Sequence, residues 1–170
     1  MGIPSFYRRL SLAHKGLIGK DRGAKVAALY FDFNCLIYSV VRSPSMPVYS
    51  ASQHTEWESA LLNQINTYVA NVWKEAGSPP EVFLSVDGVV PVAKIKQQRS
   101  RRFKSVADKV MWDNIKKKHN KPLTTHWNNN AITPGTEFMV KLHNKIINWA
   151  GGLNKHVCYS SCFTPAEGEH

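Results

Sequence analysis

Between His54 and Ala76 the apolar side chains recur at helical spacing: Trp57, Leu61, Leu62, Ile65, Tyr68, Val69 and Val72. Steps of three and four lay them on one stripe, which predicts an amphipathic helix over 54–76. Three shorter runs, apolar and rich in β-branched or aromatic residues, predict strands at Val26–Phe31, Val82–Val86 and His156–Ser160. A second helix is expected over 92–119, after Pro91, and a third over 134–149. Thr133 is the expected N-cap of the third and Pro134 its first residue. Loops are marked at Ser43–Pro47, Gly77–Pro80 and Asn128–Asn130. Helices between strands imply an α/β fold with a mostly parallel sheet covered by helices. Ligands of such sheets bind beyond the carboxyl ends of the strands, where Asp32 and Asp87 fall.

The 170 residues are enough for one domain with a core, and 43% hydrophobic content fits a globular protein. No internal repeat or low-complexity tract interrupts them. No apolar run approaches the roughly 20 residues that cross a bilayer, and Arg8 and Arg9 are not followed by a signal-peptide core. Cys35, Cys158 and Cys162 cannot all pair, so a reducing, intracellular setting is expected, the cytoplasm ahead of the nucleus.

Charge adds direction. The net charge is +10, and residues 92–121 alone hold eleven Lys or Arg against two Asp. A basic patch so concentrated is the footprint of a polyanion. The stretch 106–118, VADKVMWDNIKKK, has amphipathic spacing, and its apolar positions are expected to face the core. Within the basic helix, Lys94, Gln98, Arg101 and Arg102 fall in a narrow arc at 100° per residue. Arg forks match phosphate oxygens, and Lys adds a point charge. A solvated basic face is the plainer reading of that arc. Asp87 beside it changes the balance, because a carboxylate at a strand tip can hold a divalent metal. Asp32, after the first strand, fits the same role and equally fits a helix cap. Glu167 and Glu169 flank Gly168 beyond the third strand and extend the acidic set. Mg²⁺ takes hard oxygen ligands and keeps several waters, so a few carboxylates suffice. Together these features point to metal-assisted chemistry on a nucleic acid.

Four blocks carry a more specific resemblance: MGIPSFYRRLS at 1–11, YFDFNCLIY at 30–38, VDGVVPVAKIKQQRSRRF at 86–103, and NAITPGTEFM at 130–139 followed by PAEGEH at 165–170. In these the chain resembles the amino-terminal catalytic region of the 5′→3′ exoribonuclease (XRN) family, along its whole length. The resemblance implies a Rossmann-like, PIN-like 5′-nuclease fold, part of a larger catalytic domain. It implies that Asp32, Asp87, Glu167 and Glu169 belong to an acidic cluster for Mg²⁺, with Mn²⁺ as an alternative. It implies that Lys94, Gln98, Arg101 and Arg102 form a pocket for the 5′-monophosphate of single-stranded RNA. Asn34 then orients Asp32 or the scissile phosphate. The expected activity is release of mononucleotides in RNA decay.

The chain departs from the family pattern at Cys35 (usually Gly), Tyr38 (usually a base-stacking His), Lys96 (usually Asn) and Ala166 (usually Gly). Tyr38 retains a π-face on which a base can stack. The family continues past the position of His170 into a strand with further metal-binding Asp. Residues 1–170 are therefore read as a single domain or a fragment, with activity of the chain alone left open. Two rival functions remain: a structure-specific 5′ flap nuclease on DNA, against which QQRSRRF and ITPGTEFM speak, and a catalytically incomplete RNA-binding module.

Other residues offer less. His156, Cys158, Cys162 and His170 fit no standard zinc spacing. Ser160 and Ser161 lack the acid and oxyanion loop of a triad. Trp57, Trp73, Trp112 and Trp149 sit at apolar helical phases and are expected in the core. Trp127, in a polar loop, is expected half-buried, with base stacking as the alternative.

Overall fold

In a computed structural model the described residues are 5–17, 19, 25–123, 125–152 and 156–164. Three strands, β1 (Ala28–Asp32), β2 (Glu81–Ser85) and β3 (His156–Ser160), form one parallel sheet in the order β1-β2-β3. Each was expected within two residues of its observed ends. Among the described residues five α-helices accompany them: α1 (Phe6–Ala13), α2 (Phe33–Val41), α3 (His54–Glu75), α4 (Val92–Lys118) and α5 (Glu137–Gly151). The architecture is the α/β parallel sheet with covering helices that the alternation implied.

The strand order explains where the helices lie. A sheet that advances in one direction through right-handed crossovers sends its connections to one face. Buried residues of α2 (Phe33, Leu36, Ile37, Val40), α3 (Leu61, Ile65, Val69) and α5 (Phe138, Leu142, Ile146) form one cluster with Phe31, Val82 and Leu84 of the sheet. The register sets Phe31 beside Leu84 and Leu84 beside Tyr159 on that face. Tyr30, Phe83 and Cys158 alternate to the other face, where Tyr30 is 73% exposed.

One helix start differs from expectation. Helix α5 is capped by Thr136, whose hydroxyl oxygen accepts from the Met139 N–H, whereas Thr133 was the expected cap. Residues 133–136 instead form a turn in which Gly135 takes φ +88°, a left-handed conformation that favours glycine. Helix α2 begins directly at the end of β1, and Asp32 is its N-cap.

The tryptophans correct the expected core. Trp57 is buried, and Trp73 and Trp149 pack partly against the cluster. Trp112 is 57% exposed, and α4 buries none of its own residues among the described ones. The apolar positions of 106–118 therefore do not face the core: Val106, Val110, Met111, Trp112 and Ile115 are all exposed. Trp127 replaces Trp112 inside. It is buried between Trp57 and Phe138, at ring distances of 5.4 and 4.9 Å, and was expected half-buried or as a stacking surface. Its Nε1–H donates to Glu58 Oε1 at 3.2 Å. Glu58 is itself buried and also accepts from Lys141 Nζ at 3.1 Å. A buried carboxylate needs such partners, and these tie the loop before α5 to α3 and α5.

Candidate active site

The carboxyl ends of β1 and β2 open into a cleft of about 490 Å³. Eight of the ten residues singled out from the sequence line it: Asp32, Asn34, Tyr38, Asp87, Lys94, Gln98, Arg101 and Arg102. Glu167 and Glu169 lie outside the described residues. Parallel pairing is the reason for the convergence. Asp32 stands in register with Ser85, two residues before Asp87, so both carboxylates emerge at the same end of adjacent strands. Strand β3 ends at that edge too, with Ser160 beside Ser85.

Each carboxylate is held. Asp32 caps α2, accepting from the Cys35 N–H at 3.5 Å, and Cys35 Sγ–H donates to its other oxygen at 3.0 Å. The capping reading of Asp32 is therefore met, while the side chain remains exposed and on the cleft. Asp87 is half-buried and clamped by Asn34. The Asn34 amide donates to Asp87 Oδ2 at 2.8 Å, and the Asp87 N–H donates back to Asn34 Oδ1 at 3.3 Å. The residue before it, Val86, donates its N–H to Ser160 of β3. Asn34, expected to orient Asp32 or the scissile phosphate, bonds Asp87 among the described residues.

The opposite wall is α4. Lys94 in its first turn lines the cleft. Lys94, Gln98, Arg101 and Arg102 then face the opening together. Arg102 Nη2 donates to Gln98 Oε1 at 3.5 Å, which fixes the fork beside the amide. Tyr38 also lines the cleft, with the Arg42 guanidinium 5.9 Å from its ring centroid.

Sequence reasoning gave no role to the third wall, made by Asn129, Asn130, Ile132, Thr133 and Pro134. ITPGTEFM was recognised as a motif, and the turn at Gly135 is why it has that form. The single Thr136 hydroxyl hydrogen is shared between two acceptors, Ala131 O and Thr133 O, the latter at 2.9 Å, which ties the turn to the residues before it. Among the described residues, no group of three or more His, Cys, Asp or Glu converges as a metal site. The two carboxylates nonetheless fit a hard cation, which takes oxygen ligands and keeps waters in the remaining positions.

Two carboxylates thus stand on one side of a strand-edge cleft and a cationic helix on the other. The chain belongs to the family of the XRN 5′-3′ exonuclease N-terminus, whose pattern matches residues 1–170. It is 31% identical to 5′-3′ exoribonuclease 1 of Saccharomyces cerevisiae, all of this chain covering 12% of that protein. It is 31% identical to 5′-3′ exoribonuclease 1 of Homo sapiens, with 10% of that protein covered. It is 28% identical to 5′-3′ exoribonuclease 2 of Candida glabrata, with 20% covered. The chain thus spans about a tenth to a fifth of the length of these relatives.

Proposed function

We propose that this chain forms the amino-terminal part of the catalytic centre of a Mg²⁺-dependent 5′→3′ exoribonuclease, which releases mononucleotides from 5′-monophosphorylated single-stranded RNA during RNA decay. The observation that carries it is the single cleft that joins Asp32 and Asp87 to Lys94, Gln98, Arg101 and Arg102. Family membership favours this over a flap nuclease on DNA.

Arg101 and Arg102 take the terminal phosphate, with Lys94 as a further charge and Gln98 holding the Arg102 fork. In this reading the site takes a single terminal phosphate and disfavours a capped or triphosphorylated end. Tyr38 stacks on the first base. Asp32 and Asp87 hold the cation, joined by Glu167 and Glu169 in the acidic set. Mg²⁺ bound there supplies charge neutralisation and an activated water for in-line displacement. Asn34 keeps one Asp87 oxygen fixed, so the other points to a constant place. Cys35 and the α2 N-terminus do the same for Asp32.

A second reading is a non-catalytic RNA-binding module. It draws on the basic wall of the same cleft, Lys94, Arg101 and Arg102, which can bind a phosphate backbone without turnover. The chain is incubated with 3′-labelled, 5′-monophosphorylated RNA and Mg²⁺ or Mn²⁺. Mononucleotide release that is lost in Asp87→Ala supports the nuclease. Salt-sensitive binding without turnover, in this chain and in a longer protein that includes it, supports the module.

A further inference from the structure

The cationic face of α4 does not stop at the phosphate cleft. At 100° per residue, Ser105, Lys109, Trp112 and Lys116 continue the arc of Lys94, Gln98, Arg101 and Arg102 along the same side of the helix. A second cleft, of about 480 Å³, lies along that continuation. Its walls are Lys109, Trp112 and Lys116 on one side and His126 with Asn128–Asn130 on the other. Ser105, Asn129 and Asn130 line both clefts, so the two are continuous.

Trp112 is the unusual member. A tryptophan 57% exposed on a helix that buries nothing has no structural task among the described residues. Lys109 and Lys116 stand three residues before it and four after, and Asp113 adjoins it as the one acidic group among the described residues that line the cleft. An aromatic surface between two ammonium groups, in a groove rimmed by asparagine amides, is the chemistry that holds single-stranded nucleic acid without reading its sequence.

We propose that this second cleft binds the downstream nucleotides of the RNA whose 5′ end occupies the first, with Trp112 stacking on a base and Lys109 meeting the backbone. The proposal rests on the 5′-phosphate reading above. Ten residues separate Arg102 from Trp112, about 15 Å along the helix. At about 3.4 Å per stacked nucleotide, that places Trp112 at least roughly four nucleotides from the 5′ end, because the first phosphodiester must lie at Asp32 and Asp87 before the strand turns along α4. The site grips RNA by length, and it gives the polyanion a track along α4 beyond the terminal phosphate.

Fluorescence anisotropy of the chain in EDTA, where no turnover occurs, tests this with 5′-monophosphorylated RNAs of about three and about eight nucleotides, lengths set by the spacing above. Trp112→Ala is expected to weaken the longer RNA roughly tenfold and leave the shorter one unchanged. Trp112→Phe keeps most of the affinity, because it keeps a stacking face. A longer RNA made abasic from its fourth nucleotide onward binds the parent as weakly as the intact RNA binds Trp112→Ala. Unchanged affinity of Trp112→Ala for the longer RNA overturns the proposal while leaving the first cleft standing, provided 5′-phosphate is still preferred over 5′-hydroxyl. Loss of that preference in the parent overturns the first cleft, and with it the register assigned here. Equal, Trp112-dependent binding of polyglutamate marks a protein-docking face and also overturns the proposal.

Discussion

Replacing Asn34 tests how Asp87 is held. The wild-type clamp has two bonds: an amide N–H to a carboxylate at 2.8 Å and a backbone N–H to the amide oxygen at 3.3 Å. A bond to a charged group is worth about 1.5–3 kcal/mol and a neutral one about 0.5–1.5 kcal/mol. Both are only part-buried, so water replaces some of the loss. Asn34→Ala is expected to cost about 2 kcal/mol, a fall of about 4–8 °C in melting temperature for a chain of this size. Asn34→Asp is nearly isosteric but sets a second carboxylate oxygen where the donor was. Two unit charges at 4 Å repel by about 4 kcal/mol at an effective dielectric of 20, less as the groups rotate apart. That repulsion raises the folded-state pKa of one carboxyl above its unfolded value. Stability from sharing a proton is then present at low pH and lost as pH rises through the raised pKa. Thermal unfolding at pH 7.5 and near pH 4 reads the difference from wild type at each pH. Asn34→Asp should fall below Asn34→Ala at pH 7.5 and recover to or above it near pH 4. Parallel behaviour of the two variants at both pH values would refute the clamp.

Three further outcomes follow from other parts of the molecule. Glu58→Ala strands the buried Trp127 N–H and one Lys141 contact, and should destabilise by about 2–4 kcal/mol in a denaturant titration; Glu58→Gln, which keeps an acceptor, should cost less. Burial, with a smaller contribution from Cys162, raises the Tyr159 pKa well above its ordinary value. Its neutral form therefore stabilises the fold below about pH 10, and that contribution is lost as pH rises through the raised pKa; ultraviolet titration should show one tyrosine ionising only with unfolding. Cys35 and Cys158 are exposed while Cys162 is buried with its pKa raised by desolvation, so a thiol reagent should modify the first two rapidly and Cys162 only on unfolding.

Much of the molecule was legible as pattern. The strands and the long helices follow from apolar runs and periodicity, which local sequence records directly. Asp32 and Asp87 could be paired because a parallel sheet brings its carboxyl ends together. The exchange of Trp112 and Trp127 was not legible: helical phase shows which side of α4 is apolar, but not that the helix runs past the core it was expected to join. The partner of Asn34 lies 53 residues away, across neighbouring strands, and no local spacing encodes that. Glu58 sits in a helix where a charge would ordinarily face solvent, and its burial depends on Trp127 and Lys141 arriving from later in the chain. The wall formed by Thr133 and Pro134 was visible as a motif, yet its place depends on the turn at Gly135.

The most direct test of the cleft compares affinities for one single-stranded RNA carrying either a 5′-monophosphate or a 5′-hydroxyl, in the parent chain and in Arg101→Ala. Arg101 shares the cleft with Asp32 and Asp87 and contributes a guanidinium to its phosphate-binding face. Loss of a charge-assisted phosphate contact costs about 1.5–3 kcal/mol, roughly ten- to a hundredfold in affinity. The parent should prefer the monophosphate by about that factor, and Arg101→Ala should bind both RNAs at the level of the parent with the 5′-hydroxyl. Equal binding of both RNAs by the parent, or an equal weakening of both in Arg101→Ala, would reduce α4 to a general basic surface and contradict the assignment of a 5′-phosphate site.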